Sequence, residues 1–194
     1  AGQTVIHHGV ELELVHIGLA AEVGASHVVA IAPPRVSIIT TGNELVTSSQ
    51  VPAGGQIRNT NGPMLSAAVV SCGAEPIPMG IASDHPEPLR ALIAQGLAAD
   101  ILLLSGGVST GDYDLVPKTL ENLGVECVFH KVCLKPGKPI WFGVLQRPAA
   151  SPTLVFGLPG NPVSTLVCFE LFVRPALEKI SGKSLVPKDR DQQT

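Results

Sequence analysis

The glycine-rich segment SGGVSTGDYD, residues 105–114, combines residue types that bind anions in proteins. Gly106 and Gly107 lack a Cβ, so backbone N–H groups can turn toward an anion there without a side chain blocking its approach. Ser105 and Ser109 add hydroxyl donors. The segment has neither the GKS or GKT of a P-loop nor the GxGxxG of a dinucleotide-binding turn, so neither nucleotide fingerprint applies. We predict a loop that binds an anion through backbone amides and hydroxyls.

The segment KPGKP, residues 135–139, places Lys135 and Lys138 on a turn whose backbone is restricted by prolines and a glycine. Lys131 lies four residues before Lys135. On an extended strand, residues at this spacing point to the same side. Three converging lysines predict a site for pyrophosphate or another oxyanion. A solvated charged turn is the alternative for these lysines.

Three carboxylates complete the set, namely Glu44 in TGNEL, Asp84 in SDHP and Asp114 at the end of the glycine-rich segment. Carboxylates beside a phosphate-binding loop commonly hold Mg²⁺, which takes one or two of them together with phosphate oxygens and water. Helix capping is the structural alternative, since Asp84 precedes a predicted helix at 87–98 and Asp114 precedes another. We predict a magnesium site from these acids, with the capping roles left open.

The segment GLPGNP, residues 157–162, opens a predicted helix, so Gly160 and Asn161 lie at a helix N-terminus. Free N–H groups and the helix dipole favour an anion there. A plain N-cap is the main alternative for Asn161. Thr41 and Gly42, which begin TGNEL, are predicted to contact the same ligand.

Strands and helices alternate after residue 34, which predicts a three-layer α/β fold with a mostly parallel sheet and helices on both faces. The predicted strands are 35–40, 75–81, 100–104, 125–134, 139–145 and 153–157, and the predicted helices are 61–73, 87–98, 114–123 and 162 to about 180. In such a sheet, ligands bind outside the carboxyl ends of the strands. Each chemistry-bearing segment follows a predicted strand, so we expect them to form one site.

Pro33-Pro34 interrupts both helix and strand patterns and is the predicted domain boundary. Before it, residues 4–12 are predicted to form a strand, a turn and the start of another strand, followed by a helix over 14–23 and a strand over 27–31. Residues 35–182 are predicted to form the α/β domain. The polar stretch 183–194 is interpreted as a linker to a C-terminal domain.

Composition excludes several classes of protein. The 194 residues carry a formal net charge of −3 with a pI near 6.1, so the chain as a whole does not attract nucleic acid or an anionic membrane. No apolar run is long enough to span a bilayer. The four cysteines form no CxxC pair and lie among apolar neighbours, which predicts buried, reduced thiols and a cytoplasmic protein. The histidines show no zinc-ligand spacing.

The motifs TGNEL, SDHP, LSGGVSTGDYD, KVCLKPGKP and FGLPGNPVS resemble those of molybdopterin molybdenumtransferases, the molybdenum insertases of molybdenum cofactor biosynthesis. The resemblance implies the molybdopterin-binding α/β fold and a homodimer, and it interprets residues 1–34 as the end of a neighbouring domain. It implies an enzyme that inserts molybdate into adenylylated molybdopterin, with Mg²⁺-dependent cleavage releasing AMP. The functional residues of the family fall on Glu44, Asp84, Asp114, Lys131 and Lys135.

Two departures from the family pattern concern the acidic loops. Asn43 stands where the family usually has an acidic residue, and His85 follows Asp84 where an acidic pair is common. Both lower the local negative charge. Two other functions also fit the resemblance: a ligand-binding or scaffold module without turnover, and the related molybdopterin adenylyltransferase, which carries a GGTG-type loop in place of GGVS.

Overall fold

Two buried strands form the centre of the main sheet. β5 (Ile101–Ser105) is buried at every position, and β1 (Arg35–Thr41) at all but its first. A strand covered on both faces is typically apolar at consecutive positions, as residues 101–104 of β5 are, whereas β1 also buries Ser37 and Thr40. The computed structural model describes residues 2–108 and 115–183 of the chain.

Within these two ranges the main sheet has six strands, in the order β4-β1-β5-β8-β7-β6. Its other members are β4 (Glu75–Ala82), β6 (Glu126–His130), β7 (Trp141–Leu145) and β8 (Thr153–Leu158). β4, β1, β5 and β8 are parallel, whereas β7 is antiparallel to β8 and β6 is antiparallel to β7. All six strands predicted after residue 34 are present, although β6 ends at His130 instead of 134.

A second, two-stranded sheet lies within the segment 41–58, for which the sequence predicts a loop. β2 (Leu45–Val46) pairs in parallel with β3 (Ile57–Arg58). Each strand has two residues, which is too short for hydrophobic periodicity to reveal it. The Ile57 N–H also donates to the Glu44 carbonyl over 2.8 Å, so the pairing holds the start of the next helix beside TGNEL.

Helices cover both faces of the main sheet. The helices are α1 (Leu14–Glu22), α2 (Asn61–Ser71), α3 (Pro86–Gly96), α4 (Leu115–Asn122), α5 (Pro162–Cys168) and α6 (Arg174–Ile180). Ile101 and Leu103 of β5 pack in an apolar cluster with α2, α5 and α6, and Leu102 and Leu104 in another with α3 and α4. Successive strand side chains point to opposite faces, so this division confirms the three-layer α/β prediction.

The long helix predicted from 162 to about 180 contains a π-helical turn. Phe169–Val173 forms this turn between α5 and α6, and the Arg174 N–H donates to the Phe169 carbonyl. Pro175, one residue later, has no N–H, and its ring would clash with the carbonyl four residues earlier in a regular α-helix. The wider turn lets the helix continue through the proline.

The strands predicted over 4–12 and 27–31 are wrong, because among the described residues α1 is the only regular element before β1. A strand needs a neighbour to pair its N–H and C=O groups, and the sheet offers none here. Apolar side chains on this segment are exposed, with Leu14 at 91% and Val29 at 106%. The interpretation of residues 1–34 as the end of a neighbouring domain stays a prediction.

Among the described helices, none has the length and apolar character needed to cross a membrane.

All four cysteines are free thiols, as predicted, but only half of them are buried. Cys72 and Cys168 lie in the core. Cys127 is exposed on the edge strand β6, and Cys133 is exposed in the loop after it. The prediction of burial is therefore wrong for these two, because a peripheral strand has an open face that its apolar neighbours in sequence do not reveal.

The cysteines should label in two classes under native conditions. Burial raises the pKa of the Cys168 thiol to about 11 and also raises the pKa values of Cys72 and Cys127, so exposure, rather than pKa, separates the two classes. We expect a thiol reagent to modify Cys133 and Cys127 in the native protein, and all four only in denaturant. Mass spectrometry of labelled peptides would check this, and native labelling of Cys168 would contradict the packing described.

Candidate functional site

Loops at the carboxyl edge of the main sheet surround a cavity of about 810 Å³. Its walls include residues that follow β1, β4, β5 and β8, so four adjacent parallel strands point their C-terminal ends at it. β7 is antiparallel to β8, and therefore its N-terminal end, preceded by Pro139, lies at the same edge. The volume and the position are typical of small-ligand sites in open α/β sheets.

The structure brings most of the predicted site residues to this cavity. Those in its lining are Thr41, Gly42, Glu44, Asp84, Ser105, Gly106, Gly107 and Gly160. Lys131, Lys135, Lys138 and Asn161 are exposed and lie outside the lining. Ser109 and Asp114 fall outside the described residues.

The Glu44 carboxylate lies directly over Gly42. A Cβ on Gly42 would sit 2.6 Å from each carboxylate oxygen, so the Glu44 side chain would have to move away from its present position. Gly42 also has a φ of +146°, which L-residues rarely adopt. The glycine thus creates the space that the carboxylate occupies at the cavity wall.

Asn43 and Asp84 join the two acidic loops by a reciprocal pair of hydrogen bonds. The Asn43 N–H donates to Asp84 Oδ2 over 3.3 Å, and the Asp84 N–H donates to Asn43 Oδ1 over 3.1 Å. The capping role considered for Asp84 is wrong, because His85 is the N-cap residue of α3 and the Asp84 carboxylate accepts from the Asn43 N–H. The Asp84 carboxylate instead faces the loop that carries Glu44.

The glycine-rich loop packs tightly against the end of β1. Gly106 has a φ of +92°, and a Cβ there would lie 2.7 Å from the Thr41 carbonyl oxygen and 2.9 Å from Thr41 Oγ1. The Gly106 N–H donates to the Leu158 carbonyl over 3.1 Å, so it is not one of the amides free for an anion. At Gly106 the glycine is needed for this close approach between loops, rather than for a free donor.

Residues 58–61, at the start of α2, are the part of the cavity wall that sequence reasoning missed. Asn59 donates to Thr40 Oγ1 over 2.8 Å and accepts from the Gly62 N–H over 3.0 Å. Arg58 lines the cavity and is the one cationic side chain in its described lining. The sequence indicates Asn61 only as a helix start. The polar run RNTN, residues 58–61, lies at a helix N-terminus after β1, and this position could have indicated a ligand-binding role.

The alternation argument for Lys131 and Lys135 is wrong. β6 ends at His130, and Lys131 has a φ of 70°, so the two lysines do not share an extended strand. Residues 131–140 form a loop that two backbone hydrogen bonds close. The Lys131 N–H donates to the Ile140 carbonyl, and the Val132 N–H donates to the Lys138 carbonyl. The lysines lie on this loop at the cavity edge of the sheet, facing solvent.

Asn161 caps α5, as the structural alternative proposed. Its Oδ1 accepts from the backbone N–H groups of Val163 and Ser164 at 3.0 and 3.2 Å. These bonds use helix N–H groups that would otherwise have been free for an anion. Ligand contact by Asn161 therefore stays a prediction.

Glu44 and Asp84 are the two described carboxylates in the cavity lining that could hold a Mg²⁺ ion. They follow the adjacent strands β1 and β4 and line the same cavity. Within the ranges 2–108 and 115–183, no three His, Cys, Asp or Glu side chains form a metal-binding group. Mg²⁺ takes one or two carboxylates and completes its coordination with water and phosphate oxygens, which matches this pair.

Comparison with known proteins identifies the family. Residues 37–179 match the family described as "Probable molybdopterin binding domain". The chain belongs to this family of molybdopterin-binding domains. It is 40% identical over 183 residues to the molybdopterin molybdenumtransferase of Nostoc sp., covering 94% of this chain and 42% of that relative. The resemblance to molybdopterin molybdenumtransferases is thereby confirmed.

Solved structures agree with this assignment. The molybdopterin biosynthesis MoeA protein from Pyrococcus horikosii superposes with a TM-score of 0.76 at 37% identity, over 90% of this chain and 42% of that one. Molybdenum cofactor biosynthesis protein B matches at a TM-score of 0.55 and 16% identity, over 78% of this chain and 96% of that one, which shows a shared fold only. The chain thus spans less than half the length of the transferase and the MoeA protein that it matches.

Proposed function

We propose that this chain binds adenylylated molybdopterin and, in molybdenum cofactor biosynthesis, acts as the molybdopterin-binding part of an enzyme that inserts molybdate with Mg²⁺-dependent release of AMP. The observation that carries the proposal is the row of loops along one sheet edge. Asp84, Glu44, the glycine-rich loop and Gly160 follow β4, β1, β5 and β8 in spatial order and line one cavity. Family membership and the transferase name of the Nostoc relative support the same activity.

Each part of the cavity has a chemical role in this proposal. Glu44 and Asp84 would hold Mg²⁺, which would offset the negative charge of the phosphate oxygens beside the bond that breaks. Arg58 would bind a phosphate oxygen through its guanidinium N–H groups. The close approach of Gly106 to Thr41 would hold the start of the glycine-rich loop beside the end of β1. Lys131, Lys135 and Lys138 would attract molybdate and phosphate from solvent toward this edge.

A homodimer and a cytoplasmic location belong to the same proposal. Several apolar side chains before β1 are exposed. The Nostoc transferase is more than twice as long as this chain. Both observations are consistent with a further protein surface that covers the segment before β1. Free thiols at all four cysteines fit a reducing compartment.

Calorimetric titration of the chain with adenylylated molybdopterin tests the proposal. The titration is run with and without Mg²⁺ and molybdate, and AMP release is followed in parallel. We expect binding that is strengthened by Mg²⁺, together with AMP release that requires both additions. Absence of binding in every condition would overturn the proposed site.

Ligand binding without turnover is the second candidate. The position of Lys131, Lys135 and Lys138 outside the cavity lining favours it, because no described lysine reaches the proposed phosphate site. Tight binding of the nucleotide with no AMP release in the same titration would select this function over the insertase.

A further inference from the structure

Asn61, the first residue of α2, is a buried amide in the cavity wall. It is 8% exposed and lies among the lining residues. An amide in such a position carries two N–H donors and an oxygen acceptor, and each requires a partner once water is removed. Where these groups find partners therefore shows what the side chain does.

Both donors of Asn61 are used within the protein. Nδ2 donates to Ser105 Oγ over 2.7 Å and to the Gly160 carbonyl over 2.8 Å. A backbone carbonyl only accepts, so the nitrogen must face Gly160 and the orientation of the amide is chemically fixed. The Ser105 hydroxyl in turn donates to the Pro159 carbonyl over 3.2 Å. The Asn61 amide thus ties the ends of β5 and β8 to the start of α2.

The acceptor of Asn61 has no such partner. Oδ1 is buried without a hydrogen bond among the described residues, and Thr41 Oγ1, in the same cavity wall, is in the same condition. The two bonds from Nδ2 prevent the amide from rotating toward another donor. A buried oxygen left in this state is costly, so a ligand that supplies a donor at this wall would be stabilised.

The chemistry of Oδ1 defines which ligand group can meet it. A phosphate oxygen is itself an acceptor and would be repelled, so the organic part of a ligand would meet Oδ1 through an N–H or O–H group. We propose that Asn61 is a specificity-determining residue whose Oδ1 accepts a hydrogen bond from an N–H or O–H donor of the bound pterin nucleotide. The inference rests on the proposed function. Such a donor exists on the pterin ring and on the adenosine part alike.

Binding of two half-ligands to wild type and to Asn61→Ala tests the inference. Molybdopterin carries the pterin without adenosine, and AMP carries adenosine without the pterin. We expect the variant to change the ratio of the two dissociation constants by about tenfold, because one hydrogen bond to a buried group is lost for one ligand only. Selective loss of molybdopterin affinity places the donor on the pterin, and selective loss of AMP affinity places it on the adenosine.

Asn59→Ala is the matched control. It also removes a side-chain amide at the start of α2, but Asn59 Oδ1 and Nδ2 both have protein partners, so loss of rigidity should weaken both half-ligands equally. Thermal unfolding of both variants checks that they fold. An unchanged ratio for Asn61→Ala overturns the inference while leaving the proposed function intact. Failure of the wild type to bind either half-ligand or adenylylated molybdopterin overturns the proposed function, and the inference with it.

Discussion

Replacing Gly106 with alanine is expected to destabilise the chain by about 2–5 kcal/mol and to abolish ligand binding at the cavity. The backbone at Gly106 has a φ of +92°, which costs an L-residue roughly 1–2 kcal/mol. The new methyl group would also lie 2.7 Å from the Thr41 carbonyl oxygen, and backbone cannot move aside as a flexible side chain can. Overpacking of this kind typically costs about 1–3 kcal/mol.

Gly73→Ala separates the two causes. Gly73 has a φ of +77° with nothing within 4 Å of the position that a Cβ would take, and it lies between α2 and β4, away from the cavity. We expect this variant to lose only about 1–2 kcal/mol and to bind adenylylated molybdopterin as the wild type does. Urea unfolding gives the free energies of unfolding, and calorimetry gives the affinities. Equal stability of the two variants would contradict the close contact between Gly106 and Thr41.

The sheet was predictable because its information is local. The run ILLL before Ser105 is apolar at consecutive positions, and VSIIT is rich in β-branched residues, as strands covered on both faces commonly are. The same chemistry misled at HVVAI, residues 27–31, where a strand-like composition has no neighbouring strand to pair with. Pairing depends on distant segments, and composition does not reveal them.

The cavity was predictable in outline and not in detail. The rule that ligands bind beyond the carboxyl ends of parallel strands placed Glu44, Asp84 and Gly106 together. The same rule could not show that Asn61 bonds to Ser105 and Gly160, which are distant from it in the chain. Such contacts depend on how α2 packs against the ends of β5 and β8, and only the three-dimensional structure shows this.

Removing either described carboxylate should separate nucleotide binding from its Mg²⁺ dependence. In Glu44→Gln and Asp84→Asn, a neutral amide of nearly the same shape replaces a metal-binding oxygen. We expect adenylylated molybdopterin to bind without Mg²⁺ at least as tightly as in the wild type, because a negative charge facing the phosphates is gone. The tightening caused by Mg²⁺ should disappear, and any AMP release should fall by about 100-fold or more.

Calorimetry at a series of Mg²⁺ concentrations measures this separation even where turnover is absent. Glu75→Gln is the matched control, because Glu75 begins β4 at the end of the strand opposite Asp84, is exposed, and lies outside the cavity. Its Mg²⁺ dependence should equal that of the wild type.

The reciprocal bonds between Asn43 and Asp84 allow a further distinction. The Asp84→Asn variant keeps an oxygen that can accept from the Asn43 N–H. If this variant loses its Mg²⁺ dependence but keeps its thermal stability, the Asp84 carboxylate binds the metal and is not needed to join the two loops. Undiminished Mg²⁺ dependence in both variants would show that the metal site lies elsewhere.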